Sequence, residues 1–176
     1  MPFEHLTRGG TYYRVSDPSW LDPSDTSYSK ARGGRWNVAD TARARGFGAL
    51  YLNSTIDVAR ANARRHVWNT FRVLLEDLFP SKLPDLQEYA VVPSSFVDAV
   101  TPAGIHALGL PINYATTVPH PACQAVALRA YDARELGIVP ISAVDASAEE
   151  LVIFDREVAA RATKGVRRKA AAWLAI

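Results

Sequence analysis

Apolar and polar positions regroup along this chain in a way that predicts several short strands with helices set irregularly between them. Thr11–Val15, just after Gly9-Gly10, reads as a strand, and residues 16–32, polar and rich in Pro, Ser and Asp, as a long surface loop. Gly48-Ala-Leu-Tyr-Leu-Asn53 has the apolar run of a buried strand. Ser54 or Thr55 then caps a helix over Ile56–Phe71, with Ile56, Ala59, Ala63 and Val67 along one face. Residues 72–79 fit a strand or a continuation of that helix, and Pro80 and Pro84 break the chain after them. Glu88–Val92 reads as a strand, 94–99 as a short helix or turn, and 101–121, with four prolines, as loop. Ala122–Arg134 is helical in composition, with Val126, Ala127 and Ala130 facing inward and Gly137 as its stop. Ile138–Ala143 and Leu151–Phe154 follow as strands joined by a polar turn, and the tail from Glu157 to Trp173 is predicted helical with an interruption near Gly165. Strands and helices that do not alternate regularly point to an α+β fold. The expectation is a single domain over residues 1–176, with its core at about 11–156 and a helical, basic tail over 157–176.

Length and composition fit that picture. A chain of 176 residues with 48% hydrophobic and 22% charged residues is long enough for one core that needs no metal or disulfide. No apolar run reaches the length of a bilayer span, and the opening MPFEHLTRGG lacks the apolar centre of a secretory signal. With one cysteine, Cys123, the expected location is the reducing cytoplasm. A net charge of +2 gives no reason to expect direct contact with nucleic acid. The oligomeric state, a homo-oligomer included, stays open.

The basic residues are sixteen arginines against four lysines. A GC-rich genome explains such a bias, and so does anion binding, because a guanidinium presents a planar fork to phosphate or carboxylate oxygens. Motif searches exclude the common alternatives. There is no phosphate loop of the GxxxxGK type and no GxGxxG after a strand, and His5, His66, His106 and His120 lack the spacing of a metal site. Cys123, on an alanine- and valine-rich segment, reads as a packing residue. What remains is an N-terminal cluster: Tyr13-Arg14 on the first strand, then Gly33-Gly34-Arg35-Trp36-Asn37 closing the long loop. Paired glycines let a ligand approach the backbone closely, Arg35 adds charge, and Trp36 adds a flat apolar surface. The same five residues also fit a plain turn with an exposed arginine and a core tryptophan. The basic stretch Lys164–Lys169 likewise reads as a solvated helix end or, with Trp173 and Leu174, as a partner contact.

Taken in order, Tyr-Arg-Val, Gly-Gly-Arg-Trp-Asn, Ala-Leu-Tyr-Leu-Asn-Ser, Cys123-Gln-Ala-Val126, Gly137-Ile-Val-Pro-Ile-Ser142 and Leu151-Val-Ile-Phe154 resemble the RES-domain family over roughly residues 11–156. The resemblance implies an ADP-ribosyltransferase-like core of short mixed and antiparallel strands with inserted helices. It implies an NAD-consuming toxin neutralised by a helix-turn-helix antitoxin of the Xre type, with NAD as substrate and no metal. The reaction is cleavage of the nicotinamide–ribose bond, with water, phosphate or a protein side chain receiving the ADP-ribose. By that resemblance, Arg14 and Arg35 are the two arginines of the NAD pocket, and Tyr13 and Tyr51 line its wall, with Gly34 and Trp36 beside them. The family's helix glutamate falls on Asn62 here. An asparagine cannot supply the anion that an oxocarbenium-like transition state calls for. Ser142 is the match to a family serine that other members carry where this chain has Pro121. The departure at Asn62 opens an alternative: a catalytically weakened domain that holds a nucleotide or a partner.

Overall fold

In the computed structural model, which describes residues 2–41 and 45–174, five strands close into a barrel. They are β1 His5–Ser16, β2 Ala49–Asn53, β3 Asp85–Ala99, β4 Gly137–Pro140 and β5 Glu150–Phe154. The order β1-β2-β5-β4-β3 returns to its start because β1 and β3 also pair along almost their whole length. Only β3 and β4 run parallel. Alternate residues of each strand face the lumen, so Tyr12, Leu50, Leu52, Tyr89, Phe96, Val139, Leu151 and Ile153 form its packed interior.

The long strand β3 corrects the sequence reading, which split it into a strand and a short helix or turn around Pro93. Between the pairs Arg8↔Ser94 and Gly10↔Val91 the register slips, so Gly9 stands opposite both Val92 and Pro93. That bulge takes up the proline without losing the strand. It also shifts the phase by one, from Tyr89 and Val91 inward to Phe96 inward. A side chain at residue 9 would collide with Pro93, which is why a glycine sits there.

Outside the barrel, α2 Ile56–Phe71 lays Ala59, Ala63 and Val67 on Leu75, Leu86 and Trp173. Its N-cap is Thr55, whose hydroxyl accepts from the Val58 N–H at 3.2 Å, and Arg72 at φ 59° ends it. Residues 72–79 therefore form neither strand nor continued helix; a single 3-10 turn, Leu75–Asp77, follows. On another flank, α5 His120–Asp132 buries Cys123, Val126, Ala127 and Ala130 against Trp36, Phe47, Ile138 and Phe154. Gly137 does not stop that helix. It opens β4, where a Cβ would overlap the Val152 carbonyl of β5. Three short helices occupy stretches expected to be loop: α1 Ser27–Arg32, α3 Pro102–Leu108 and α4 Tyr114–Thr117.

The tail is the largest departure. After a single helical turn, α6 Val158–Arg161, the chain becomes a strand, β6 Ala162–Arg168, paired antiparallel with the 86–91 half of β3. That edge of β3 would otherwise present unpaired N–H and C=O groups, and the tail covers it. The closing turn, α7 Ala170–Trp173, then drops Trp173 into the cluster beneath α2. Among the described residues, no helix is long and apolar enough to cross a membrane.

Candidate active site

The Gly33–Asn37 segment is a fixed loop whose contacts specify its residues one by one. The Gly34 N–H donates to the Asn37 carbonyl at 3.0 Å, and the Gln124 side chain donates to the Gly34 carbonyl at 2.8 Å. Asn37, fully buried, donates to the carbonyls of Ser29 and Phe47 at 2.8 and 2.9 Å. The Tyr51 hydroxyl, from the middle of β2, donates to Asn37 Oδ1 at 2.8 Å and accepts from the Trp36 N–H at 2.9 Å. A Cβ at residue 34 would stand 2.5 Å from that hydroxyl, so the glycine admits the tyrosine. Burial pushes the Tyr51 phenol well above the ordinary tyrosine range, and it stays protonated.

This loop forms one side of a cleft of about 280 Å³, with the outward face of α2 opposite. Its lining includes Arg35, Tyr51, Asn62, Arg65, His120 and Glu150. Arg35 reaches the Tyr114 carbonyl at 3.3 Å and Arg65 the Ala143 carbonyl at 2.7 Å, and neither guanidinium is in an ion pair among the described residues. The neighbouring Arg64, by contrast, is held by Glu76 at 2.6 Å. Two unneutralised guanidinium groups at one opening favour an anion. Burial, with Arg35 and Arg65 beside it, lowers the proton affinity of His120, so that ring is neutral at neutral pH.

The floor carries the opposite sign. Asn62 donates to Asn53 Oδ1 at 2.7 Å and to Glu150 Oε1 at 2.9 Å, and the Ser142 hydroxyl donates to the same Glu150 oxygen at 2.9 Å. Glu150 stands directly across the strand pair from Asn53. A larger hollow of about 600 Å³ opens on the other side of Ile141, lined among others by Asp57, Asp145 and Glu149. Asp57 and Glu149 are already held by Arg60 and Arg8, and the described lining of that hollow includes no cation for a phosphate, so the smaller, cationic cleft is the candidate site.

A family model described as the RES domain matches residues 11–173. The chain is a member of the RES-domain family. Among solved structures it resembles the crystal structure of the M. tuberculosis MbcT-MbcA toxin-antitoxin complex, with a TM-score of 0.81 at 20% identity over 97% of this chain and 90% of that one. No curated protein matches it in sequence.

This RES domain thus brings Gly34, Arg35, Trp36, Tyr51 and Asn62 to one place, with Ser142 directly behind. Two expected members are elsewhere. Tyr13 packs with the cluster under α2 and meets the site only through its carbonyl, which accepts from Asn53 Nδ2 at 3.0 Å. Arg14 is the departure of most consequence: it is not part of the lining of the cleft that Arg35 lines. Successive strand residues face opposite ways, and Tyr13 shares the Asn53 and Tyr51 side of the sheet. Arg14 therefore turns inward, toward Tyr89, with its guanidinium 5.5 Å from the centre of the Trp20 ring. It is buried there, and burial pulls its proton affinity down. Trp36 is also less than a binding platform. It is 1% exposed and sits edge-on to Tyr114, 5.7 Å between ring centres, so it supports the cleft from below.

Two charged residues of the cleft lining, Arg65 and Glu150, escaped the sequence reading. Arg65 was hidden among the arginines of α2, where only its place one turn beyond Ala61 and Asn62 on the outward face signals it. Glu150 lies 88 positions from Asn62. Its only sequence signal is an acidic pair, Glu149-Glu150, immediately before an apolar strand.

Proposed function

We propose that the cleft binds NAD and cleaves the bond between nicotinamide and ribose, as the toxin half of a toxin–antitoxin pair. The observation that carries this reading is the pairing of two guanidiniums lacking carboxylate partners, Arg35 and Arg65, with the Tyr51 wall at one opening in a RES domain. A pyrophosphate bears two negative charges and suits two such forks, with Arg65 in the place that Arg14 does not occupy. The flat cationic nicotinamide suits an aromatic wall. At about 280 Å³ the cleft is at the small end for ligand sites, so it would enclose one end of the dinucleotide and leave the adenosine outside. Membership of the family and the fold shared with the toxin–antitoxin complex support an antitoxin partner, for which a helix-turn-helix protein of the Xre type is the expectation. The cytoplasm, where NAD is available, is the matching location.

Incubation of the purified protein with NAD should release nicotinamide, and expression in a bacterium should deplete NAD and arrest growth. Unchanged NAD and normal growth at verified expression would reject the reading. The neutral Asn62 favours one rival, a domain that holds the nucleotide without turning it over. Calorimetry that detects NAD binding while no nicotinamide appears would select that rival.

A further inference from the structure

We propose that Glu150 is the catalytic carboxylate of this site, and that Asn62 and Ser142 are positioning residues that aim it. The proposal rests on the reading of the cleft as an NAD-cleaving site and supplies the anion that reading otherwise lacks.

The argument is geometric. Asn53, Asn62 and Glu150 meet at one point, where the end of β2 pairs with the start of β5 and the first turns of α2 pass over both. A carboxylate can be delivered to that point from the helix, at position 62, or from the strand, at position 150. This chain uses the strand. The amide at position 62 then acts as a donor: one of its protons holds Asn53 Oδ1 and it also holds Glu150 Oε1. Ser142, 1% exposed, gives its hydroxyl proton to the same oxygen. With Oε1 held from two sides, Oε2 has no hydrogen bond among the described residues, and the side chain is part of the cleft lining with Arg35 and Tyr51. A glutamate at 62 would instead place two anions in contact, which disfavours the ionised form of one of them. The neutral residue at 62 is thus what an acid at 150 requires.

In the reaction, the bond between ribose C1′ and the nicotinamide nitrogen breaks and its electron pair leaves with neutral nicotinamide. The positive charge passes to C1′ and the ring oxygen, where the Glu150 anion stabilises it without exchanging a proton. An oxygen nucleophile, water in the simplest case, adds to C1′ and releases one proton to solvent. The products are ADP-ribose, nicotinamide and a proton.

The test compares the wild type with Glu150→Gln and with the exchanged pair Asn62→Glu/Glu150→Asn, following nicotinamide release from NAD and the melting temperature of each. Glu150→Gln should lower kcat about 10²–10³-fold with little change in KM. The exchanged pair returns a carboxylate to the same point from the helix, and it should recover turnover to within about tenfold of the wild type. The exchange preserves a Glu–Asn contact, so it reads the role of the carboxylate even where Glu150→Gln folds poorly. A Glu150→Gln protein as fast as an active wild type would overturn the assignment of Glu150 alone. A folded exchanged pair no faster than Glu150→Gln would do the same. A wild type that releases no nicotinamide would instead overturn the NAD-cleaving reading and this assignment with it.

Discussion

Two regions of this molecule share a composition and have opposite fates. The Gly33–Asn37 loop and the 164–174 tail each combine arginine with tryptophan, and the sequence leaves each open between a plain structural role and a binding one. In both, the tryptophan is core: Trp36 under the cleft and Trp173 under α2. The arginines differ. Arg35 faces the cleft and makes no ion pair among the described residues, whereas Arg167 and Lys169 both close on the buried Asp85 at 2.8 Å, and Arg167 also reaches the Trp20 and Pro18 carbonyls. The tail's cations are internal ties and the loop's cation is left over. Charge marks a binding site only where the fold leaves it unneutralised, which composition alone does not report.

Substitutions can break that contrast. Trp173→Ala should destabilise the protein most, by about 3–5 kcal/mol, read from denaturant unfolding, because it empties the space among Ala59, Ala63, Val67 and Leu86. Arg35→Ala should leave stability nearly unchanged and reduce NAD turnover about 10²–10³-fold. Equal effects of the two on stability would dissolve the distinction drawn here. Asp85→Ala should cost about 1–3 kcal/mol, since it strips the acceptor from two cations that both still reach water. Lys164→Ala, which removes an exposed pair with Asp22, should change stability by less than about 0.5 kcal/mol.

High pH sharpens the comparison from another side. Tyr51 lines the cleft, Tyr114 is buried in the core beside Trp36, and Tyr12 lies in the barrel. Burial raises all three phenols above the ordinary value of 10.0, with Tyr12 pushed up to about 12. A raised value means the unfolded chain loses these protons first. Stability is therefore full below about pH 10 and falls as pH rises through the folded-state values. Melting temperature measured across that range should decline less steeply for Tyr51→Phe than for the wild type.

What the sequence made legible was whatever depends on near neighbours. The faces of α2 and α5 follow from helical spacing, and Ala59, Ala63, Val67, Val126, Ala127 and Ala130 are all buried as that spacing predicts. β2 and β5 follow from short apolar runs, and the resemblance of the Gly-Gly-Arg-Trp-Asn string located one wall of the cleft. The misreadings each needed a distant partner to correct. Pro93 looks like a break until Gly9 stands opposite it as a bulge. The alanine-rich tail looks helical until the open edge of β3 offers it hydrogen bonds. Arg14 looks like a ligand-binding residue until the pairing of Tyr13 with Asn53 turns it into the barrel.

The chain by itself determined its two long helices, α2 and α5, most of its strands and its membership of a family, because propensity and periodicity act within a few residues. Tertiary structure alone decided which charges are left unneutralised. It tied Asp85 to the tail, turned Arg14 inward, brought Arg65 to the rim, and set Glu150 against Asn62 across 88 positions of sequence. Electrostatic pairing depends on distance in space, and for these residues strand pairing and the docking of α2 and the tail on the barrel set that distance.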